Sequence, residues 1–444
     1  MWRQPTRRAV QIWAAAIPVF TLMLGSGCSR PAPRVAAFRA DATPAMGEPN
    51  IWVAPVTHVE DPLWAKGIVL EDDGARYVLC SIDWCGIGGS AHRLFREKIA
   101  RAAETDVSRV AVHVVHQHSA PYVDGDAYAV LRALKDPPLL MSDAYLDRLT
   151  GSIADAVRTA AARLQPFNQV GLGEASVQRV ASARRIVEDG KLLTRFSGGG
   201  KDPHLAALPE GDIDTSLRTI TLASDGRPLV RLHYYATHPQ TFCCDGRVSG
   251  DFVNQAREAV ESRESVPQIY FTGASGDVTA GKYNDGSPEA RQALAQRLQS
   301  GLEASIAATK FYPAERLRWE SADFRLPAKP ATDPASITDA TARYRAALGV
   351  AFANRKQPLE AQLLEIGPAA VLHLPGEPML EFQKYALSRR PGRFVAVAGY
   401  GDITPGYLCT DEAHAQGGYE PSASYGAPGT EAALKQVIQK LLGQ

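Results

Sequence analysis

Short apolar runs alternating with helix-length segments constrain this chain more than any other feature. Residues 77–82, 110–115, 229–236, 268–271, 369–374 and 394–398 are brief and mostly apolar, as short buried strands are. Between them, 91–103, 143–163, 252–262, 288–307, 335–354 and 379–387 have helical period and length. The alternation predicts an α/β fold with mixed buried β-sheets and flanking helices, forming a single large domain over 40–444. No heptad run, low-complexity block or internal repeat stands out. Residues 197–200 (SGGG) read as a mobile loop, and the Pro/Ala-rich 327–334 is the best place for an internal linker, without a domain cut.

The apolar runs share a second property: polar, chemically capable residues stand at their carboxyl ends. They lead to Asp83, to His116-Gln117-His118, to Thr237-His238-Pro239, to Ser275-Gly276-Asp277, to Pro375-Gly376-Glu377 and to Gly399-Tyr400. In α/β sheets, ligands bind in the crevice outside the carboxyl ends of the strands. Turns also need polar residues, but repeated histidine with one glutamate exceeds that need.

A balance of 48 basic and 48 acidic side chains gives no support for nucleic-acid binding. Arg3, Arg7 and Arg8 precede an apolar stretch, 12–24, too short for a comfortable membrane span, and then Leu24-Gly25-Ser26-Gly27-Cys28. This predicts an export signal over 1–28 of the bacterial lipoprotein type, with Cys28 acylated, and a tether over 29–39. An ordinary cleaved secretory signal is the alternative. Either way the mature chain is expected in the cell envelope, on the first reading held to a membrane surface by its lipid. The other cysteines (Cys80, Cys85, Cys243, Cys244 and Cys409) form no framework or CxxC site. Export allows a disulfide such as Cys80–Cys85, while buried free thiols are the expectation for most.

On a strand, side chains two apart share a face, so His116 and His118 are expected to point the same way from one strand end. His116, His238 and Glu377 together compose a two-histidine, one-carboxylate set, a catalytic zinc formula that leaves a position for water. Zinc lowers the pKa of such a water to about 7. His118 is placed to accept and return a proton, and Arg184 or Arg185 to neutralise an oxyanion. Iron or manganese tolerates similar ligands.

Four dispersed blocks resemble the neutral/alkaline (non-lysosomal) ceramidase family in its N-terminal catalytic region. His116-Gln117-His118-Ser119-Ala120-Pro121 is similar to its His-Thr-His-Ser-Gly-Pro segment, with Ala120 in place of glycine. Ala236-Thr237-His238-Pro239 and Pro375-Gly376-Glu377 match its Ala-Thr-His-Pro and Pro-Gly-Glu elements. Gly406-Tyr407 to Tyr419-Glu420 resembles its paired-tyrosine segment, and 39–44 its opening segment. The resemblance implies that His116, His238, Glu377 and Tyr407 hold Zn2+. It implies that His118 is the acid/base and that Arg184, rather than Arg185, contacts the carbonyl oxygen with Tyr419. In the block 275–280, Thr279 keeps a hydroxyl where the family has serine, which implies a hydrogen-bonding role for it among the catalytic residues, and Ala280 replaces proline. The sequence ends soon after Tyr419, so the family's C-terminal immunoglobulin-like β domain is expected to be absent. The expected activity is hydrolysis of the amide of an amphiphilic N-acylated amine, a ceramide-like N-acyl sphingoid first. The alternatives are a hydrolase of another envelope amide or ester, or a non-catalytic metal-binding lipoprotein.

Overall fold

Three four-stranded units, each built the same way, account for the main sheets of this protein. A computed structural model describes residues 31–443 together with residues 1, 2 and 5. Cys28 and, apart from residues 1, 2 and 5, the expected export signal therefore lie outside the described residues. From Ala32 onward the chain makes one compact unit.

The strands are β1 (Arg34–Asp41), β2 (Trp64–Asp72), β3 (Ala75–Ile82), β4 (Val110–Val114), β5 (Gln169–Ser176) and β6 (Ser216–Ser224). They continue as β7 (Arg227–Tyr235), β8 (Gln268–Thr272), β9 (Leu317–Phe324), β10 (Leu359–Ile366), β11 (Ala369–His373) and β12 (Phe394–Ala398). The principal helices are α1 (Gly89–Ala103), α2 (Asp143–Ala161), α3 (Asp251–Glu264), α4 (Pro288–Ala307), α5 (Ala340–Ala353), α6 (Leu380–Arg389) and α7 (Thr430–Leu442). Sheet orders are β4-β3-β2-β1, β8-β7-β6-β5 and β12-β11-β10-β9, the first two each extended at one edge by a short strand.

In every unit three strands pair antiparallel, and a helix carries the chain from one of them to a parallel fourth strand. The parallel pairs are β3 with β4, β7 with β8 and β11 with β12, joined by α1, α3 and α6. Parallel pairing needs such a crossover. The repetition is one of topology without a sequence period, which is why no repeat stands out in the residues.

Each sheet turns one face to helices and the other to a shared centre. Ile68, Leu79, Ile220, Leu232, Leu364 and Val371, two from each sheet, are fully buried in one cluster. Burying a side chain of this size contributes about 1.5–3 kcal/mol. Separate clusters join the first sheet to α1 and α2, the second to α3 and α4, and the third to α6 and α7. The fourth strands are stitched in a ring. Val114 N donates to Tyr400 O (3.0 Å), Gly399 N to Thr272 O (2.9 Å), and Thr272 Oγ1 to Val115 O (2.7 Å). The carboxyl ends of all three parallel pairs therefore open onto one place.

Residues 34–39, expected to finish the tether, form most of β1 instead, paired along its length with β2. The SGGG loop contains a 3-10 turn, Gly199–Lys201, with Gly199 buried. The expected helix 335–354 divides into a short turn and α5, because Asp339 caps α5 through Ala342 N. Among the described residues no helix is long and apolar enough to cross a membrane.

Cys80 and Cys85 are both buried and free, as is Cys409, while the neighbours Cys243 and Cys244 are joined to each other. The Cys80–Cys85 expectation is thus corrected. Alkylation in denaturant without reductant is expected to label Cys80, Cys85 and Cys409, and Cys243 and Cys244 only after reduction. Peptide mass mapping reads the result, and unreduced labelling at Cys243 or Cys244 contradicts the pairing.

Candidate active site

His116 and His118 do meet, but not by strand alternation. β4 stops at Val114, and His116 takes a left-handed backbone with φ 72°, a conformation that costs a non-glycine residue roughly 1–3 kcal/mol and clusters at functional sites. The ring lands stacked on Tyr400, centroids 4.4 Å apart. Tyr400 also sits at positive φ, 61°. Gln117, between the histidines, turns away and donates to the backbone carbonyl of Asp83, leaving His118 Nε2 3.3 Å from His116 Nε2.

His238 lies just past β7 and is fully buried. Its Nδ1 donates to Ser275 O at 2.7 Å, as His116 Nδ1 donates to Cys85 O at 2.6 Å. A carbonyl only accepts, so in each neutral ring Nε2 is left as a bare lone pair. Both lone pairs face one atom, Glu377 Oε2, at 3.2 Å from His116 and 3.3 Å from His238.

Glu377 is aimed there by the Pro375-Gly376-Glu377 bend. Gly376 has φ +64°, and a Cβ on it would come within 2.9 Å of Gly406 O. The short strand Glu377–Pro378 then pairs in parallel with Tyr407–Leu408, so Glu377 and Tyr407 are register partners. Tyr407 stacks on His238 at 6.3 Å, and its Oη accepts from Arg184 Nη1 at 3.0 Å.

Burial lowers the pKa of His238 to about 4, with the Arg184 charge adding to the effect. Burial, then His116 and His238, hold His118 well below the usual histidine range. Glu377 is held well below the usual carboxylate range: burial pushes it up, but His116 and His238, in their charged or proton-donating forms, outweigh that. Imidazole lone pairs and a carboxylate are the deprotonated forms that metal binding requires. Three acceptors converging without a hydrogen between them repel one another unless a cation joins them. His238 Nε2 and Glu377 Oε2 are buried without a hydrogen-bond partner, and the donor atoms of His116, His238 and Glu377 all lie within 4.8 Å of one another. The set fits a divalent cation, with the Nδ1-to-carbonyl bonds orienting the ligands from behind.

Two chambers open over this floor. The inner one, about 100 Å³, contains His116, His118, Glu377, Tyr407 and Tyr419. The outer one, about 220 Å³, shares His118, Tyr407 and Tyr419 and adds Arg184 and the Cys243–Cys244 pair. Arg184 is buried against Glu420, 3.6 Å away, which with Tyr407 and Tyr419 keeps it charged despite burial. Arg185 shares Glu420 but reaches on to Gln416 and lines neither chamber, so the structure distinguishes the two arginines that the sequence left open. Thr279 lines neither chamber. Its hydroxyl meets Ser197 Oγ at 3.1 Å, and Ser197 forms the outer wall. Trp52, Tyr122, Phe196, Arg345 and Tyr425 also line the chambers and were not legible as site residues, since they come from loops and helices without polar motifs.

The fold and the donor set thus define an α/β protein whose parallel strand ends converge on a buried cation-type site. No family model matches the chain, and no curated protein matches it in sequence. Among solved structures it is similar to neutral ceramidase from Pseudomonas aeruginosa, with TM-score 0.72 and 18% identity over 93% of this chain and 74% of that one. A ceramidase complexed with C2 matches with TM-score 0.72 and 16% identity, over 93% and 75% of the two chains. The chain therefore has the neutral ceramidase fold, as the resemblance of its motifs implied.

Proposed function

We propose that this chain is a zinc-dependent amidohydrolase that cleaves N-acylated amines, with a ceramide-like N-acyl sphingoid as the leading substrate. One observation carries the reading: an imidazole nitrogen each from His116 and His238 and a carboxylate oxygen of Glu377 converge at the floor of a cavity, in a fold shared with ceramidase structures. His116, His238 and Glu377 would hold the ion, with Tyr407 as a fourth ligand. Two histidines with one carboxylate are a known catalytic zinc set. When bound, zinc supplies Lewis acidity and acidifies a water at that position.

Amide hydrolysis joins a water oxygen to the acyl carbon, breaks the C–N bond and delivers a proton to the amine nitrogen. In this reading His118 takes the proton from the water and passes it to the departing amine. It is neutral and so able to accept, its Nδ1 has no partner, and it borders both chambers. Arg184 and Tyr419 face the same space and would donate to the oxyanion as the carbonyl becomes tetrahedral. Arg184 also holds the Tyr407 hydroxyl in place. Thr279 supports the outer wall through Ser197. Residues 1–28 support export and anchoring at Cys28, which would place the site at a membrane surface where amphiphilic amides reside.

The purified chain, supplied with zinc, is expected to release fatty acid and sphingoid base from short-chain ceramide, read by mass spectrometry. Turnover of a matched ester with none of any amide would contradict the amidohydrolase reading.

A further inference from the structure

Among the described residues, Arg345 is the one cation lining the two chambers that has no acidic partner. It forms no ion pair or hydrogen bond, and its contact is the ring of Trp52, 4.4 Å from Cζ to centroid. Arg184, by contrast, lies 3.6 Å from the Glu420 carboxylate, which it shares with Arg185. The outer chamber has no carboxylate in its lining, and Arg345 borders both it and the inner chamber. The space above the catalytic floor therefore carries one unneutralised positive charge.

The platform under that charge is built. Trp52 and Val53 both adopt left-handed backbone, φ 53° and 62°, which for bulky and β-branched residues is costly and persists only when surrounding structure imposes it. The indole stacks on Tyr122 at 5.3 Å and meets Tyr344 edge-on at 6.3 Å. Thr341 Oγ1, on the same helix α5 as Arg345, donates to Trp52 O at 3.3 Å. A guanidinium lying over an indole keeps its N–H edge free, and that edge matches a carboxylate or phosphate in bidentate fashion. The chambers, about 100 and 220 Å³, together reach only the low end of drug-sized pockets. They suit the amide and the polar head of a substrate, with a long chain continuing outside.

We propose that Arg345 is a specificity residue that selects N-acylated amines carrying an oxyanionic group, carboxylate or phosphate, close to the scissile amide. The inference rests on the amidohydrolase reading and narrows it from neutral ceramide toward anionic relatives.

The test compares the zinc-loaded wild type with Arg345→Met and Arg345→Lys on three substrates of one acyl chain: N-acylethanolamine, N-acylglycine and N-acylethanolamine phosphate. At least one anionic substrate is expected to exceed the neutral one in kcat/KM by about tenfold, as one charge-assisted contact at a half-buried site gives. The preference should reside in KM, shrink with added salt, disappear in Arg345→Met and return in part in Arg345→Lys. Which anion is favoured separates carboxylate from phosphate recognition. In parallel, tryptophan fluorescence during titration with N-acylglycine reports binding beside Trp52. Hydrolysis with no charge preference, or a preference unchanged in Arg345→Met, overturns this inference and leaves the amidohydrolase reading standing. Anion binding that depends on Arg345, with no amide cleaved, supports the anion site and removes the hydrolase reading instead.

Discussion

Glu377→Ala is expected to lose both metal and hydrolysis, and His118→Ala to lose hydrolysis while keeping its metal. Glu377 is the meeting point of the donor set, since both histidine lone pairs aim at its Oε2. Without it only two imidazoles remain, and the negative charge that draws a divalent cation into a buried site is gone. Losing several kcal/mol of Lewis-acid stabilisation corresponds to a rate decrease on the order of 10³-fold or more. His118 stands beside the set and not within its three-residue core: its Nε2 is 3.3 Å from His116 Nε2 and its Nδ1 is unpartnered. Removing a general acid/base costs about 10²- to 10⁴-fold. Elemental analysis beside kcat separates the two variants. Equal metal loss in both would place His118 among the ligands, and full activity in His118→Ala would remove its proton-transfer role.

The largest stability loss is expected from Asp83→Ala. Asp83 accepts two hydrogen bonds from Arg257, at 2.9 and 2.8 Å, with both side chains at most 2% exposed. The pair ties the end of β3 to α3, and so the first unit to the second. Burial alone would weaken the Arg257 charge, but Asp83 outweighs it, so the guanidinium stays protonated. Truncating the aspartate strands that charge, at a cost of about 3–5 kcal/mol. Glu258, 3.3 Å from Arg257 Nε, remains to share it, which puts the value near the low end of that range. The double variant Asp83→Ala/Arg257→Leu should recover part of the loss, because no buried charge is left unpaired. Urea unfolding measures both, and a single-variant loss below about 1 kcal/mol would show that the pair is not structural. Activity should fall as well, since loss of the pair loosens the backbone at residue 83, whose carbonyl, kept in the variant, anchors Gln117 between the two histidines.

How much of this was legible in the residues depends on the physics of each element. The six mostly apolar runs all became strands of the three parallel pairs, because burial on both faces leaves a nearly unbroken apolar signature even in β4, β8 and β12 at the sheet edges. The strands missed, β1, β2, β5, β6, β9 and β10, are mixed in polarity, and their period-2 signal is short. Two of them were marked all the same. Asp73-Gly74 and Asp225-Gly226, both at positive φ, are the hairpin turns joining β2 to β3 and β6 to β7, and Asp-Gly between apolar segments is a strong hairpin cue. The helix α7 was also passed over.

At the site, His116, His118, His238 and Glu377 could be read because chemistry restricts which residues bind metal and move protons. Tyr407 and Tyr419 were named by resemblance alone, and the structure brings both to the chambers. Trp52, Tyr122 and Arg345 could not be read, since a wall residue is defined by where its element packs. The strand-alternation argument for His116 and His118 reached the right pairing by a different route from the one the chain takes. A left-handed turn at His116 has no residue code beyond the rarity of its conformation.

The most direct test of the central claim is elemental analysis of the purified wild-type chain after zinc reconstitution and removal of free metal, with ceramide hydrolysis measured before chelation, after it, and after zinc is restored. The account predicts about one zinc per chain, with activity lost on chelation and regained with zinc. A well-folded wild type that binds no zinc, or one whose hydrolysis is indifferent to the chelator, would contradict it.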